Sequence, residues 1–77
     1  MPDAFVPERL HDASPATKLV YLALDRHAPA SMQELATTTT LSESTLSWAI
    51  DRLRERNEIK THTVLGDARR NRYTLQE

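Results

Sequence analysis

Hydroxyl and arginine side chains concentrate between residues 42 and 72. Residues 1–50 carry three basic and six acidic side chains, whereas residues 51–77 carry seven basic and five acidic ones. Arginine offers a planar set of donors that suits phosphate and guanine edges, and Ser and Thr hydroxyls bond phosphates or base edges. Solvated surface charge is the alternative explanation. The candidate contact residues are Ser42, Ser44, Thr45, Ser47, Trp48, Arg52, Lys60, Arg69, Arg70 and Arg72.

Trp48, the only tryptophan, stands among these polar residues. Apolar residues from Leu46 to Leu53 recur at i, i+4 and i+7, which predicts a helix with one apolar face. At roughly 100° per residue, Trp48 points away from that face. Three interpretations stay open. Trp48 contacts sugar or a thymine methyl in a DNA groove, packs against a second subunit or a partner protein, or folds onto Phe5 and Val6.

No arrangement of residues suggests catalysis or metal binding. The three histidines, His11, His27 and His62, share no metal-ligand spacing, and the chain has no cysteine. No serine or threonine lies in a nucleophile motif, and glycine-rich phosphate loops and HExxH are absent from the sequence. We therefore predict no catalytic residue, no metal and no cofactor.

Length and composition bound the remaining possibilities. A chain of 77 residues allows one domain, and a domain this short gains stability from docking onto a partner or a second copy. No apolar run approaches 18 residues, and the N-terminus lacks the pattern of a secretory signal. The lack of cysteine fits a reducing compartment. We expect a cytoplasmic protein.

Capping residues mark three helices. Ser14 with Pro15 predicts the start of the first helix, which ends around residues 28–30. Ser31 and Glu34 form a capping-box pattern for a short second helix, which we expect the four threonines of residues 37–40 to break into a turn. Ser42 caps the third helix, which runs to about Arg56.

The C-terminal third predicts a β-hairpin. Asn57 stands where a helix ends in a left-handed residue. Residues 58–64 and 71–75 alternate as strands, and residues 65–68 contain the only glycine and predict the turn. The fold class is therefore α+β: a winged helix-turn-helix of three helices followed by a two-stranded β-hairpin wing over residues 14–77, with an N-terminal arm at 1–13. Within the arm, Phe5, Val6 and Leu10 are apolar enough to lie against the domain. The predicted core is Val20, Leu24, Leu35, Leu41, Leu46, Ile50, Leu53, Ile59 and Tyr73.

Over residues 14–76 the sequence resembles winged-helix transcription regulators, specifically the MarR-like group and its small archaeal relatives. The segments that carry the resemblance are SMQELA at 31–36, LSESTLS at 41–47, LRERNEI at 53–59, DAR at 67–69 and YTL at 73–75. The resemblance implies that residues 42–52 form the recognition helix. It also implies that Arg69 reaches the minor groove, oriented by Asp67.

The sequence departs from this family pattern at three points. It has no room for the flanking helices that build the dimer in full-length members. Trp48 stands where many relatives carry an arginine, and Asn57 replaces the usual glycine after the third helix.

These observations predict a sequence-specific, double-stranded DNA-binding transcriptional regulator. The recognition helix, residues 42–56, would enter the major groove, and the wing, residues 64–72, would contact the flanking backbone or minor groove. A homodimer would bind a near-palindrome. The alternative is a winged-helix protein–protein interaction module with little or no DNA binding, which Trp48 and the near-neutral net charge of −1 favour.

Overall fold

The computed structural model describes residues 6–64 and 67–76. A 3-10 turn precedes three helices and three strands, and these elements confirm the predicted α+β winged helix-turn-helix. The elements are the 3-10 turn Glu8–Leu10, α1 Pro15–His27, β1 Ala30–Ser31, α2 Met32–Thr39, α3 Glu43–Glu55, β2 Ile59–Val64 and β3 Asp67–Leu75.

Each α-helix begins at the serine that the sequence predicted. The Ser14 hydroxyl accepts a hydrogen bond from the Thr17 N–H. Ser31 and Glu34 form a complete capping box at the start of α2, because each side chain accepts from the backbone N–H of the other. Ser42 caps α3. These bonds satisfy backbone donors that a helix start otherwise leaves unpaired.

The prediction for the threonine run was wrong. α2 continues through Thr39, and only Thr40 leaves the helix, with a left-handed φ of 60°. The buried Thr39 hydroxyl donates to the Leu35 carbonyl oxygen at 2.7 Å and accepts from the Leu41 N–H at 3.3 Å. Because these bonds anchor Thr39 at the helix end, low helix propensity does not end α2 earlier. The turn to α3 therefore contains only residues 40–42.

The antiparallel sheet has a third strand that the sequence did not predict, in the order β1-β3-β2. Ala30 and Ser31 of β1 pair with Tyr73 and Arg72 of β3. β3 also starts earlier than expected, at Asp67, so Asp67 and Ala68 belong to a strand and not to the predicted turn. The turn residues 65 and 66 lie outside the described residues.

A single core lies between the helices and the sheet. Eight of the nine predicted core residues are buried, whereas Leu41 is only partly buried at its edge. The buried apolar residues that the prediction omitted are Leu10, Ala23, Ala30 and Ala49. Leu10 comes from the predicted arm and is 0% exposed, so this part of the N-terminal segment belongs to the packed structure.

Two ion pairs connect the N-terminal segment to the region after α3. Arg9 Nε and Nη2 donate to the two carboxylate oxygens of Glu58 at 2.6 and 2.8 Å. Arg56 donates to the Arg9 carbonyl oxygen at 3.1 Å and lies 3.4 Å from Asp12. The hydrogen bonds from Arg9 and the charge of Arg9 lower the pKa of the nearly buried Glu58. Arg56 likewise lowers the pKa of Asp12.

The lowered pKa of Glu58 predicts a stability contribution that depends on pH. A carboxyl group whose pKa falls on folding stabilises the folded state above its unfolded pKa, about 4.3, and loses that contribution as the pH falls through the folded value. Glu58→Gln should reduce the free energy of unfolding at pH 7 by about 1–2 kcal/mol. Urea unfolding from pH 7 to pH 3 should show the difference from the original chain shrinking below about pH 4. A difference that stayed constant would contradict this assignment.

Candidate nucleic-acid interface

α3 buries one face and exposes the other. Leu46, Ala49, Ile50 and Leu53 lie in the core, between 0% and 1% exposed. The opposite face exposes Ser44, Ser47, Trp48, Asp51 and Glu55, with the half-buried Arg52 one turn beyond Trp48. We call this face, which includes the carboxylates of Asp51 and Glu55, the α3 ridge. The short turn at 40–42 separates α2 from α3, an arrangement that is typical of a helix-turn-helix motif.

Three of the predicted contact hydroxyls, those of Ser42, Ser44 and Thr45, form hydrogen bonds with one another at the start of α3. The Ser42 hydroxyl accepts from the Thr45 N–H at 3.3 Å and donates to the Thr45 hydroxyl at 2.9 Å. The Ser44 hydroxyl lies 3.4 Å from that of Ser42. Within the described residues, the Ser47 hydroxyl makes no hydrogen bond. Among the predicted contact hydroxyls, that of Ser47 is therefore the best placed to meet a partner.

Trp48 is 45% exposed, so the protomer does not bury it. Arg52 lies over its ring, with the guanidinium carbon 5.5 Å from the ring centroid. Val6 packs at the edge of the core, and Phe5 lies outside the described residues. Val6 therefore does not bury Trp48, and the predicted contact of Trp48 with Phe5 lies outside the described residues. A groove contact and a subunit or partner contact both remain.

Carboxylates pair with each arginine between residues 52 and 56. Arg52 Nη2 donates to Glu55 at 2.6 Å, and Arg54 lies 3.8 Å from Asp51. Arg54 also donates to the Thr61 hydroxyl on β2 at 3.3 Å, so it is directed toward the sheet. The end of α3 consequently offers less free positive charge than its arginine content suggests.

The sheet holds the remaining candidates. Lys60 is exposed on β2 opposite Thr74, and Arg72 is exposed on β3. Arg72 lies 3.7 Å from Glu34 at the start of α2, which places it beside α2. The pKa of Glu34 is lowered, chiefly by the hydrogen bond from the Ser31 backbone and to a smaller extent by Arg72.

The wing arginines lie on β3, whose backbone is described from Asp67 onward. The side chains of Arg69 and Arg70, and the predicted role of Asp67 in orienting Arg69, lie outside the described residues. Their contact with DNA stays a prediction from the sequence.

Sequence reasoning missed the partner of Arg72. The contact between Arg72 and Glu34 depends on the pairing of β1 with β3, which places Ser31 opposite Arg72. The capping-box pattern located Glu34, but no local signal indicated the pairing.

Residues 6–64 and 67–76 contain no group of three or more His, Asp or Glu side chains that would hold a metal ion. In the same ranges, none of the helices combines the length and the apolar character that crossing a bilayer requires.

Taken together, three helices with a tight turn before the third, a small antiparallel sheet and an exposed ridge on the third helix define a winged helix-turn-helix. The chain belongs to the family of winged helix-turn-helix DNA-binding proteins, whose model matches residues 15–60. No curated protein matches the chain significantly.

Solved structures of transcriptional regulators share this fold. Bordetella bronchiseptica BpsR, whose DNA binding is regulated by 6-hydroxynicotinic acid, has a TM-score of 0.80 at 22% identity, over 92% of this chain and 52% of its own. A MarR-like regulator from Thermotoga maritima has a TM-score of 0.77 at 22% identity, over 96% and 52%. The transcriptional regulator PA3341 has a TM-score of 0.71 at 30% identity, over 82% and 47%.

The chain spans about half the length of these structures. The similarity confirms the winged helix-turn-helix fold and the likeness to MarR-like regulators. The likeness to small archaeal members stays a prediction.

Proposed function

We propose that this chain binds double-stranded DNA in a sequence-specific manner and acts as a transcriptional regulator. The observation that carries the proposal is the α3 ridge, where Ser44, Ser47 and Trp48 face outward on the third helix of a DNA-binding family. The hydroxyls suit base edges and phosphates, and the indole suits a thymine methyl in the major groove. The wing would contact the flanking backbone or minor groove.

We further propose that the DNA-binding form is a homodimer. The pairing of Arg52, Arg54 and Arg56 with carboxylates leaves each protomer with weak electrostatic attraction to phosphate. Because phosphate contacts dominate affinity for DNA, one protomer should bind modestly. Two protomers related by a twofold axis would bind half-sites about 34 Å apart.

The wing arginines provide a test of the proposed function. Arg69→Ala with Arg70→Ala should weaken binding to all duplexes and should reduce the slope of log K against log salt by about 2, because each phosphate contact contributes about 0.9. Fluorescence anisotropy of a labelled mixed-sequence duplex between about 50 and 200 mM salt measures this slope.

A matched variant separates the effect of the wing arginines on DNA binding from the effect of overall charge. Lys18→Ala with Arg26→Ala removes the same charge from α1 and should leave the slope nearly unchanged. Equal slopes for the wing variant and the original chain would exclude the wing from the interface. If the original chain bound no duplex even at low salt, the proposed function would fail.

The exposure of Trp48 favours a second function. Tryptophan is enriched at the centres of protein interfaces, and an indole that is 45% exposed offers apolar area to a partner protein. In that case the ridge would bind a protein and would bind DNA weakly or not at all. Sedimentation of Trp48→Ala distinguishes a subunit contact, because loss of a dimer would place the indole in that interface.

A further inference from the structure

We infer that Glu55 is a specificity-determining residue of the α3 ridge, because its carboxylate withholds Arg52 from the DNA backbone at random sequence. This inference rests on the proposed function, since it concerns how the same surface discriminates between sequences. Glu55 is the last residue of α3 and is not itself a predicted contact residue.

The Arg52 side chain is held from two sides. Its guanidinium lies over the Trp48 ring, 5.5 Å from the centroid, and its Nη2 donates to a Glu55 oxygen at 2.6 Å. The Nε atom of Arg52 is buried and has no hydrogen-bond partner. Of the five N–H donors of a guanidinium, one is therefore hidden and another is bound, which restricts how Arg52 meets DNA.

Arg52 is the arginine of this region that belongs to the ridge. Arg54 is directed to Thr61 on β2, and Arg56 is directed to the N-terminal segment at Asp12. The side chains of Arg52 and Glu55 are 40% and 66% exposed, so solvent and phosphate both reach the pair. Glu55 thus controls the cation that lies nearest to Trp48.

Solvent screens this exposed ion pair, so it opposes transfer of Arg52 to a phosphate by only a few fold in affinity. At random sequence, binding depends almost wholly on phosphate contacts, and Arg52 makes none while it stays paired with Glu55. At a matching sequence, contacts between the ridge and base edges would add to binding, and these contacts do not require Arg52 to leave Glu55. Glu55 therefore weakens non-specific binding more than specific binding, because it competes with phosphate for Arg52. This is specificity gained by disfavouring the wrong partner.

Glu55→Gln tests this inference without knowledge of the preferred sequence. The probe is a labelled duplex of mixed sequence, titrated between about 50 and 200 mM salt. The variant should bind about two- to fivefold more tightly, as expected for release of an exposed ion pair. The slope of log K against log salt should steepen by about 0.9, corresponding to one additional phosphate contact.

Two further variants make the result specific to Arg52. Asp25→Asn makes the same change of charge on the exposed part of α1 and should not steepen the slope. In a chain that carries Arg52→Gln, Glu55→Gln should lose its effect, because the arginine that it releases is absent. Circular dichroism of each variant establishes that it is folded.

The outcomes are distinct. A steeper slope that requires Arg52 supports the inference. An unchanged slope, or the same change with and without Arg52, overturns the inference and leaves the proposed function in place. Absence of duplex binding by both the original chain and Glu55→Gln at about 50 mM salt overturns the proposed function and the inference together.

Discussion

Replacement of Trp48 by alanine should remove most of the preference of the protein for its DNA site. The indole is 45% exposed, and a tryptophan presents up to about 250 Å² of surface, so a groove contact would cover roughly 100 Å². At about 25 cal/mol per Å², the loss is about 2.5 kcal/mol, or about 30- to 100-fold in affinity for the preferred duplex. Binding to a mixed-sequence duplex should change little, because that mode depends on phosphates.

Leu19→Ala is the matched control for this prediction. Leu19 is the other large apolar side chain that the described residues expose, at 40%, and it lies on α1 away from the ridge. The Leu19→Ala variant should keep the preference of the original chain for the preferred duplex. Deoxyuridine in place of thymine removes the C5 methyl and should reproduce part of the Trp48→Ala effect. Unchanged discrimination by Trp48→Ala would contradict the groove contact.

Replacement of Leu10 by alanine should cause a large loss of stability. Leu10 is 0% exposed and reaches the core from a segment that the sequence presented as an arm. Truncation of a buried leucine costs about 2–5 kcal/mol, because apolar contacts are lost and a cavity remains. Since domains of this kind are stable by only about 5–15 kcal/mol, this loss is a large fraction of the free energy of unfolding.

Urea unfolding followed by far-ultraviolet circular dichroism measures this effect. Leu19→Ala makes the same substitution at an exposed position and should cost less than about 1 kcal/mol. If both variants lost the same free energy of unfolding, residues 6–13 would be an appended segment and not part of the core.

The helices could be predicted because their signals are local. Ser14, Ser31 and Ser42 each cap the helix that follows, and the apolar spacing of α3 placed Trp48 on the outer face. The prediction that the threonine run would end α2 was wrong, because low helix propensity costs less than the two hydrogen bonds that anchor Thr39 contribute. Strand β1 was missed because two residues carry no periodic pattern and gain their structure from pairing with β3.

In the candidate site, too, local contacts could be predicted and long-range contacts could not. The pairs Arg52–Glu55 and Asp51–Arg54 follow from i,i+3 spacing on a helix. The pairs Arg72–Glu34 and Arg9–Glu58 join residues far apart in sequence and depend on how strands and termini pack. The exposure of Trp48 beside Arg52 also depends on tertiary packing, and the sequence left open what covers the indole.

Selection of bound duplexes from a random pool, at about 150 mM salt and with the oligomeric state measured alongside, tests the central claim most directly. The account predicts enrichment of one near-palindromic site with half-sites about 34 Å apart, bound by two protomers. A pool that remains random, together with no duplex binding at low salt, would contradict DNA recognition by the α3 ridge and would favour a protein partner.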